Sequence, residues 1–255
     1  ANILKEKCNL KSVNKKLKIK KASINSKKIR KNDIFFGIKG PKNDGNDYAD
    51  EAIKRGASLA IVNKSGKLNK TKKININDPL KILKIASKEV RKISKAKFIS
   101  ITGSSGKTSL KDLLSFALKK LASTTKSTQS FNNKFGVPLS LFNVKKNDKF
   151  AVLEVGMDRA GEIDNLTKII RPNIGIITNI SYAHIKNFKN LRGVAQAKSE
   201  IINNIDKDGY IILNADDNFF SFFKSKSIKK KLKMITFGIK KKSDLSLINI
   251  KKEKS

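Results

Sequence analysis

The sequence predicts an α/β protein: a small N-terminal α/β domain, then a mostly parallel, P-loop-type central sheet with flanking helices. Three observations carry that expectation. From residue 78 onward, short β-branched runs alternate with amphipathic helical stripes, as a doubly wound parallel sheet requires. Before it, one strand–helix–strand pattern stands by itself between Asp33 and Asn63. Finally, one strand-to-helix junction, SITGSSGKTS (Ser100 to Ser109), is a glycine-rich loop of the kind that cradles phosphate.

In the first part, residues 1–77, DIFFGIKG (Asp33 to Gly40) reads as an apolar strand and turn. DYADEAIKRG (Asp47 to Gly56) reads as a helix closed by glycine, and ASLAIVN as a second strand. Asp78-Pro79 opens a new helix as N-cap and first helical residue. Leu83, Ala86, Val90 and Ile93 form its apolar stripe, so the domain boundary is expected near residue 78. In the second part, residues 78–255, KFISIT is a strand. Lys107 to Leu121 is a helix with Leu110, Leu113, Leu114, Ala117, Leu118 and Leu121 along one face. FAVLEV (150–155), IGIIT (174–178) and YIILN (210–214) are further strands, helices are expected near 162–170 and 191–204, and KMITFGI suggests a last strand pair.

Charge is lopsided: 57 Lys+Arg stand against 21 Asp+Glu, a formal net charge of +36. Such a balance points to nucleic acid or an anionic surface. The distribution argues against it. Six basic residues are arginine, the side chain suited to bidentate recognition, and the lysines run through the whole chain mixed with Ile and Asn. Lys, Ile and Asn share AT-rich codons, so compositional drift suffices as the cause, and no nucleic-acid partner is expected. Cys8 is the only cysteine, which excludes a disulfide framework and fits a reducing cytoplasm. No apolar run approaches the roughly 20 residues of a membrane span.

Ligands of open parallel sheets bind beyond the carboxyl ends of the strands. Four such ends are polar here: Thr102-Gly103, Glu154, Thr178-Asn179 and Asn214-Ala-Asp-Asp217. One polar strand end is ordinary; four in succession suggest a shared site. Gly103 and Gly106 let the loop turn its N–H groups inward, and the helix from Lys107 adds the positive end of its dipole. Lys107 can reach terminal phosphates, and Thr108 can ligate Mg²⁺. The usual pattern has a glycine at the position of Ile101, so the loop is a shorter variant, G-x-x-G-K-T. Glu154, ending a buried strand, is the best metal carboxylate. His184 is the only histidine, and a lone histidine more often serves a surface or core than a metal.

The ordered set TGSSGKTS, FNNKFGVPLSL (131–141), EVGMDRAGEI (154–163), TNISYAHIKNF (178–188), GVAQAKSEI (193–201) and LNADD (213–217) resembles the Mur ligases. N-N-x-x-G-V-P and E-x-G-M-x-x-x-G-E-I are most similar to the branch that adds D-alanyl-D-alanine. The resemblance implies an ATP-dependent amide-bond ligase of peptidoglycan synthesis, with UDP-N-acetylmuramoyl-tripeptide and D-alanyl-D-alanine as substrates, Mg²⁺ as cofactor and a monomeric chain. It implies that Gly103, Ser104, Ser105, Gly106, Lys107, Thr108 and Ser109 hold the phosphates of ATP, with Asn179 and Asn214 near the adenine. Thr108, Glu154 and His184 would serve Mg²⁺, joined by Lys198 where that residue carries a carbamate. Lys107, His184 and Lys198 would be the catalytic set, and Asn132 or Asn133 would face substrate phosphate or metal. By sequence alone Lys198 is one helix-surface lysine among many.

In the N-terminal part, Ser26, Lys27 and the loop from Lys39 to Asp47 would approach the uridine diphosphate. The family's usual Asp-Ser-Arg there reads Asn25-Ser26-Lys27, which keeps a charge and loses the fork geometry. The family also has a C-terminal Rossmann-type domain that residues 1–255 do not supply. The chain is therefore expected to bind nucleotide and to ligate poorly or not at all by itself. Other readings remain open at this point: another Mur-type or a folylpolyglutamate-type ligase, or a non-catalytic nucleotide-binding fragment.

Overall fold

Parallel strands buried on both faces are continuous apolar runs, and the chain folds around two sets of them. The computed structural model describes residues 1–41, 43–63, 72–183 and 185–248. They form two compact units, Ala1–Ser94 with Pro138–Lys146 and Lys95–Val137 with Asn147–Ser255.

In the first unit, β1 (Ala22–Ser23), β2 (Ile34–Phe36), β3 (Leu59–Val62) and β4 (Lys73–Asn75) lie side by side in that order, all pairs parallel. α1 (Ala49–Lys54) presents Ala49, Ala52 and Ile53 to Phe35, Ala60 and Val62 in one core cluster. The short β1 edge is extended by a side chain, since Asn143 accepts from Ala22 N at 2.7 Å and donates to Ala22 O at 3.0 Å.

α2 (Pro79–Ile93) begins as its sequence requires, with Asp78 accepting from Lys81 N at 2.9 Å and Pro79 in the first turn. It does not open the second unit. Ile82, Leu83 and Ala86 are buried, and the Cys8 thiol lies 3.9 Å from Ile82 O, so the helix is packed within the first unit. The compact boundary therefore falls at Ser94–Lys95 and not near residue 78. An N-cap marks where a helix starts, while the face it buries decides the unit it joins. Asp78→Ala should cost about 1 kcal/mol in urea unfolding. A loss below ~0.3 kcal/mol would mean that Pro79 and packing alone hold the helix end.

The second unit is a seven-stranded sheet in which every strand pair among the described residues is parallel. Its elements in chain order are β5 (Lys97–Thr102), α3 (Lys107–Leu121), β6 (Thr124–Lys126), α4 (Gly136–Phe142, whose residues from Pro138 belong to the first unit), β7 (Phe150–Glu154) and α5 (Glu162–Ile170). They continue with β8 (Ile174–Ile177), α6 (Leu191–Ser199), β9 (Tyr210–Asn214), α7 (Phe220–Lys229), β10 (Lys233–Gly238) and β11 (Leu245–Ser246). The spatial order is β11-β10-β9-β8-β5-β7-β6, which puts β7 on one side of β5 and β8 on the other.

α3 has the bounds its sequence predicts, but its buried face is narrower. Leu110, Leu114 and Leu118 pack on Ile99, Ile101, Val152 and Ile176. Leu113 and Leu121 are 70% and 77% exposed, while Lys111 and Ser115 are buried in their place. Spacing alone admits all six apolar residues to one broad face; the sheet reaches only one row of them. β6 and α7, which the sequence reading passed over, are real elements, and the helix expected over 191–204 ends as α6 at Ser199, followed by a 3₁₀ turn, Glu200–Asn204.

Candidate functional site

The site grows out of the carboxyl end of β5. Gly103 follows its last residue with φ +145°, and Gly106 (φ +77°) precedes the first turn of α3. Both angles favour glycine, but only Gly103 is also crowded: a Cβ there would collide with Thr178 Oγ1. The loop between them is fastened to the end of β8. Ser104 N donates to Asn179 O at 2.9 Å, and Ser105 N and Oγ both donate to Asn179 Oδ1 at 3.1 Å. Thr178 Oγ1 donates to Ser105 O at 2.7 Å, and Ser181 N donates to Ser104 Oγ at 2.8 Å. The loop is thus held in shape by its neighbour strand, with the N-terminal end of α3 beside it.

The pleat explains how a carboxylate reaches this loop. Glu154 is in register with Ile101, and Ile101 faces α3. Neighbours in register point to the same face, so Glu154 also faces α3. Thr108 Oγ1 donates to Glu154 Oε2 at 2.8 Å, and Asn132 Nδ2 donates to Oε1 at 2.7 Å. Gly156 makes room for Asn132, because a Cβ there would lie 2.8 Å from its Cγ. Glu154 is 1% exposed, and these donors offset the cost of burying its charge.

Two lysines converge on one carbonyl. Lys107 Nζ donates to Gly103 O at 2.7 Å, and Lys198 Nζ, from α6, donates to the same oxygen at 2.9 Å. Lys198 is 1% exposed, so it is not a surface lysine. Burial first, and repulsion by Lys107 second, pull its amine down to about 7. Burial also lowers Lys107, against the opposing attraction of Glu154. The arrangement gathers two lysines at Gly103 O beside the first turn of α3, with the oxygens of Thr108 and Glu154 in contact next to them.

A family model described as the Mur ligase middle domain matches residues 101–255 of this sequence, more than half of the chain. The chain belongs to the Mur ligase family. A second model, the Mur ligase family catalytic domain, matches residues 18–105. The chain is similar to the UDP-N-acetylmuramoyl-tripeptide–D-alanyl-D-alanine ligase of Rickettsia prowazekii, 39% identical over 228 residues that make up 88% of this chain and 50% of that relative. Among solved structures it is similar to MurF from Acinetobacter baumannii, with a TM-score of 0.76 at 30% identity, over 89% of this chain and 49% of that one. It is also similar to MurF ligase from Thermotoga maritima in complex with ADP, with a TM-score of 0.75 at 28% identity, over 91% and 53%. The chain spans about half the length of the curated relatives it matches.

The structure brings only some of the residues singled out by sequence to one place. Gly103, Ser104, Ser105, Gly106, Lys107, Thr108, Glu154, Asn132 and Lys198 are brought together at the loop. Ser109 is exposed in the first turn of α3. Asn179 and Asn214 serve the backbone: Asn179 clamps Ser105, and Asn214 donates to Thr178 O at 3.2 Å and accepts from Asp216 N at 3.0 Å. Asn133 accepts from Phe135 N at 3.1 Å and Gly136 N at 3.0 Å, which makes it a cap at the start of α4. Ser26 and Lys27 lie in the first unit, where the Ser26 hydroxyl donates to Glu51 Oε2 at 2.7 Å and Lys27 is exposed. His184 lies outside the described residues, and so does Lys42 of the 39–47 loop.

Thr178 was marked by sequence only as part of a polar strand end and Lys111 not at all, yet the structure brings Thr178 onto the loop and Lys111 beside Glu154. Thr178 ends a strand, a position that carries a signal. Lys111 carried one as well, three residues after Thr108 and thus on the same helix face.

Mg²⁺ prefers hard oxygen donors. Glu154 and Thr108 fit that preference; Lys198 fits it only as a carbamate, which a neutral amine can form with CO₂. Among the described residues no group of three or more His, Cys, Asp and Glu could hold a metal. The protein residues therefore supply only part of a Mg²⁺ shell, and phosphate oxygens would supply more.

Proposed function

We propose that this Mur ligase chain belongs to the branch that joins D-alanyl-D-alanine to UDP-N-acetylmuramoyl-tripeptide at the expense of ATP, acting as a cytoplasmic monomer. The observation that carries the reading is the anion cradle: Lys107 and Lys198 on Gly103 O, with Thr108 and Glu154 in contact beside them. The names of the relatives supply the branch.

A carboxylate is a poor acyl donor because its oxygen is a poor leaving group. Transfer of the γ-phosphoryl group of ATP to the tripeptide's terminal carboxylate makes an acyl phosphate. The amine of D-alanyl-D-alanine then attacks the acyl carbon, the C–O bond breaks, and phosphate leaves as the amide forms. Lys107 and the first-turn N–H groups of α3 hold and neutralise the phosphates, while the clamp from Thr178 and Asn179 keeps the loop aligned. Thr108, Glu154, His184 and a carbamylated Lys198 would hold Mg²⁺, which supplies charge neutralisation on the transferring phosphoryl group. Asn132 orients Glu154, Asn179 and Asn214 lie toward the adenine, and Ser26 and Lys27 serve the uridine diphosphate.

Calorimetry should detect ADP binding to the chain, and Lys107→Met should weaken it by at least about tenfold. In a chain joined to the family's C-terminal domain, phosphate release from ATP should require UDP-N-acetylmuramoyl-tripeptide and be stimulated by D-alanyl-D-alanine, while residues 1–255 alone should show little or none of it. Stimulation by a single amino acid such as diaminopimelate or glutamate in its place would move the chain to another branch of the family.

A further inference from the structure

Among the described residues, Lys111 is the fully buried lysine near the site that the mechanism above does not use. It is 1% exposed, and its Nζ donates to Gln129 O at 2.6 Å, which pins it in place. It lies 3.6 Å from Asp112 Oδ1 and 3.9 Å from Glu154 Oε2. Asp112 is about half exposed and is engaged by Lys126 at 2.7 Å. Asp112 is the nearer carboxylate but is shared with Lys126, and Glu154, sealed in the same interior, is the buried carboxylate that faces the Lys111 charge. Lysine is almost never fully buried without such a partner.

We propose that Lys111 makes metal binding at Glu154 conditional on bound polyphosphate. Affinity for a hard divalent cation follows the number of anionic oxygens offered to it. Here there is one carboxylate, and its charge is already balanced by a fixed ammonium that cannot swing away. Lys107 adds a further positive charge within electrostatic reach of Glu154. A free cation entering this corner would lose hydration against a local charge near or above zero. A nucleotide reverses the balance, because its phosphates face the lysines and bring anionic oxygens of their own. The metal then enters with the nucleotide and leaves with it. This inference rests on the nucleotide-binding reading of the loop.

The test uses Mn²⁺ as the probe on the 255-residue chain, with protein-bound metal read by water-proton relaxation enhancement. Ligand-free wild type should hold Mn²⁺ no tighter than about 1 mM, and a strong enhancement should appear on adding ADP. Lys111→Met should bind Mn²⁺ at least about tenfold more tightly without ADP, and Glu154→Gln in that background should abolish the gain. Lys111→Gln, which keeps a donor for Gln129 O, gives the same comparison should the methionine variant fold poorly. Micromolar Mn²⁺ binding by ligand-free wild type would overturn the proposal without any variant. So would neutral variants that match wild type, or a gain that survives Glu154→Gln. ADP that fails to bind with or without metal would sink the nucleotide reading itself; ADP that binds while Mn²⁺ affinity is indifferent to it would sink only the role of Lys111.

Discussion

Lys198→Met should stabilise the protein by several kcal/mol at neutral pH and weaken the ligase activity proposed for it. The amine is pulled from 10.5 to about 7 by burial and by Lys107. Each pH unit between the two values corresponds to about 1.4 kcal/mol. Because the folded-state value is depressed, the charged form is the one penalised. The penalty is complete below about pH 7, shrinks as pH rises, and is gone above 10.5. Wild type should therefore gain stability relative to the variant as pH rises across that window, by on the order of 1 kcal/mol per unit. The variant loses little in exchange, because Gly103 O keeps its bond from Lys107 at 2.7 Å.

Urea unfolding of both proteins at several pH values checks this. Parallel pH profiles would show that Lys198 is not held neutral by the fold. Where the proposed ligase activity is measurable, it should fall by roughly 100-fold or more in the variant. The pair of outcomes, more stable and less active, is what a charged group retained for function at a cost in stability should show.

Gly103→Ala should be far more damaging than Gly106→Ala, although both glycines have positive φ and stand in one loop. At Gly106 a Cβ would meet nothing within 4 Å, so the cost is conformational, about 1 kcal/mol. At Gly103 the new methyl group would collide with Thr178 Oγ1 and approach Thr178 Cβ at 3.0 Å and its backbone N at 3.1 Å. Thr178 is not free to move, since it donates to Ser105 O and its N donates to Thr102 O at 3.0 Å. The expected loss is about 3 kcal/mol or more, with ADP affinity falling at least tenfold as the loop shifts. Gly106→Ala should leave ADP affinity within about threefold. Thr178→Ala should partly rescue Gly103→Ala in a double-mutant cycle, because it removes the colliding oxygen. Equal effects of the two alanines, or no rescue, would show that the loop does not depend on this close approach.

Much of the fold was legible because its signals are local. Asp78-Pro79, the glycine-rich junction at 103–106 and the apolar runs around Phe35, Ile99 and Val152 each determine their own stretch of chain. Local signals did not determine partnership. α2 has a correct start and a correct stripe, yet its assignment to the first unit follows from where Ile82, Leu83 and Ala86 find other apolar surface. The same holds for the face of α3, where the sheet selects Leu110, Leu114 and Leu118 and leaves Leu113 outside.

By itself the sequence determined the glycine-rich strand–helix junction, most of the strands and helices around it, and the candidates Lys107, Thr108 and Glu154. Their chemistry depends on residue type and on one strand–helix junction. Only the tertiary structure decided which further lysines are enclosed beside the loop. In a chain with 57 basic side chains the spacing from Thr108 hints at Lys111 and the family resemblance at Lys198, but composition and periodicity do not set them apart from the rest. Burial does, because a lysine enclosed by two packed layers must either share a carboxylate, as Lys111 does with Glu154, or give up its proton, as Lys198 does near pH 7.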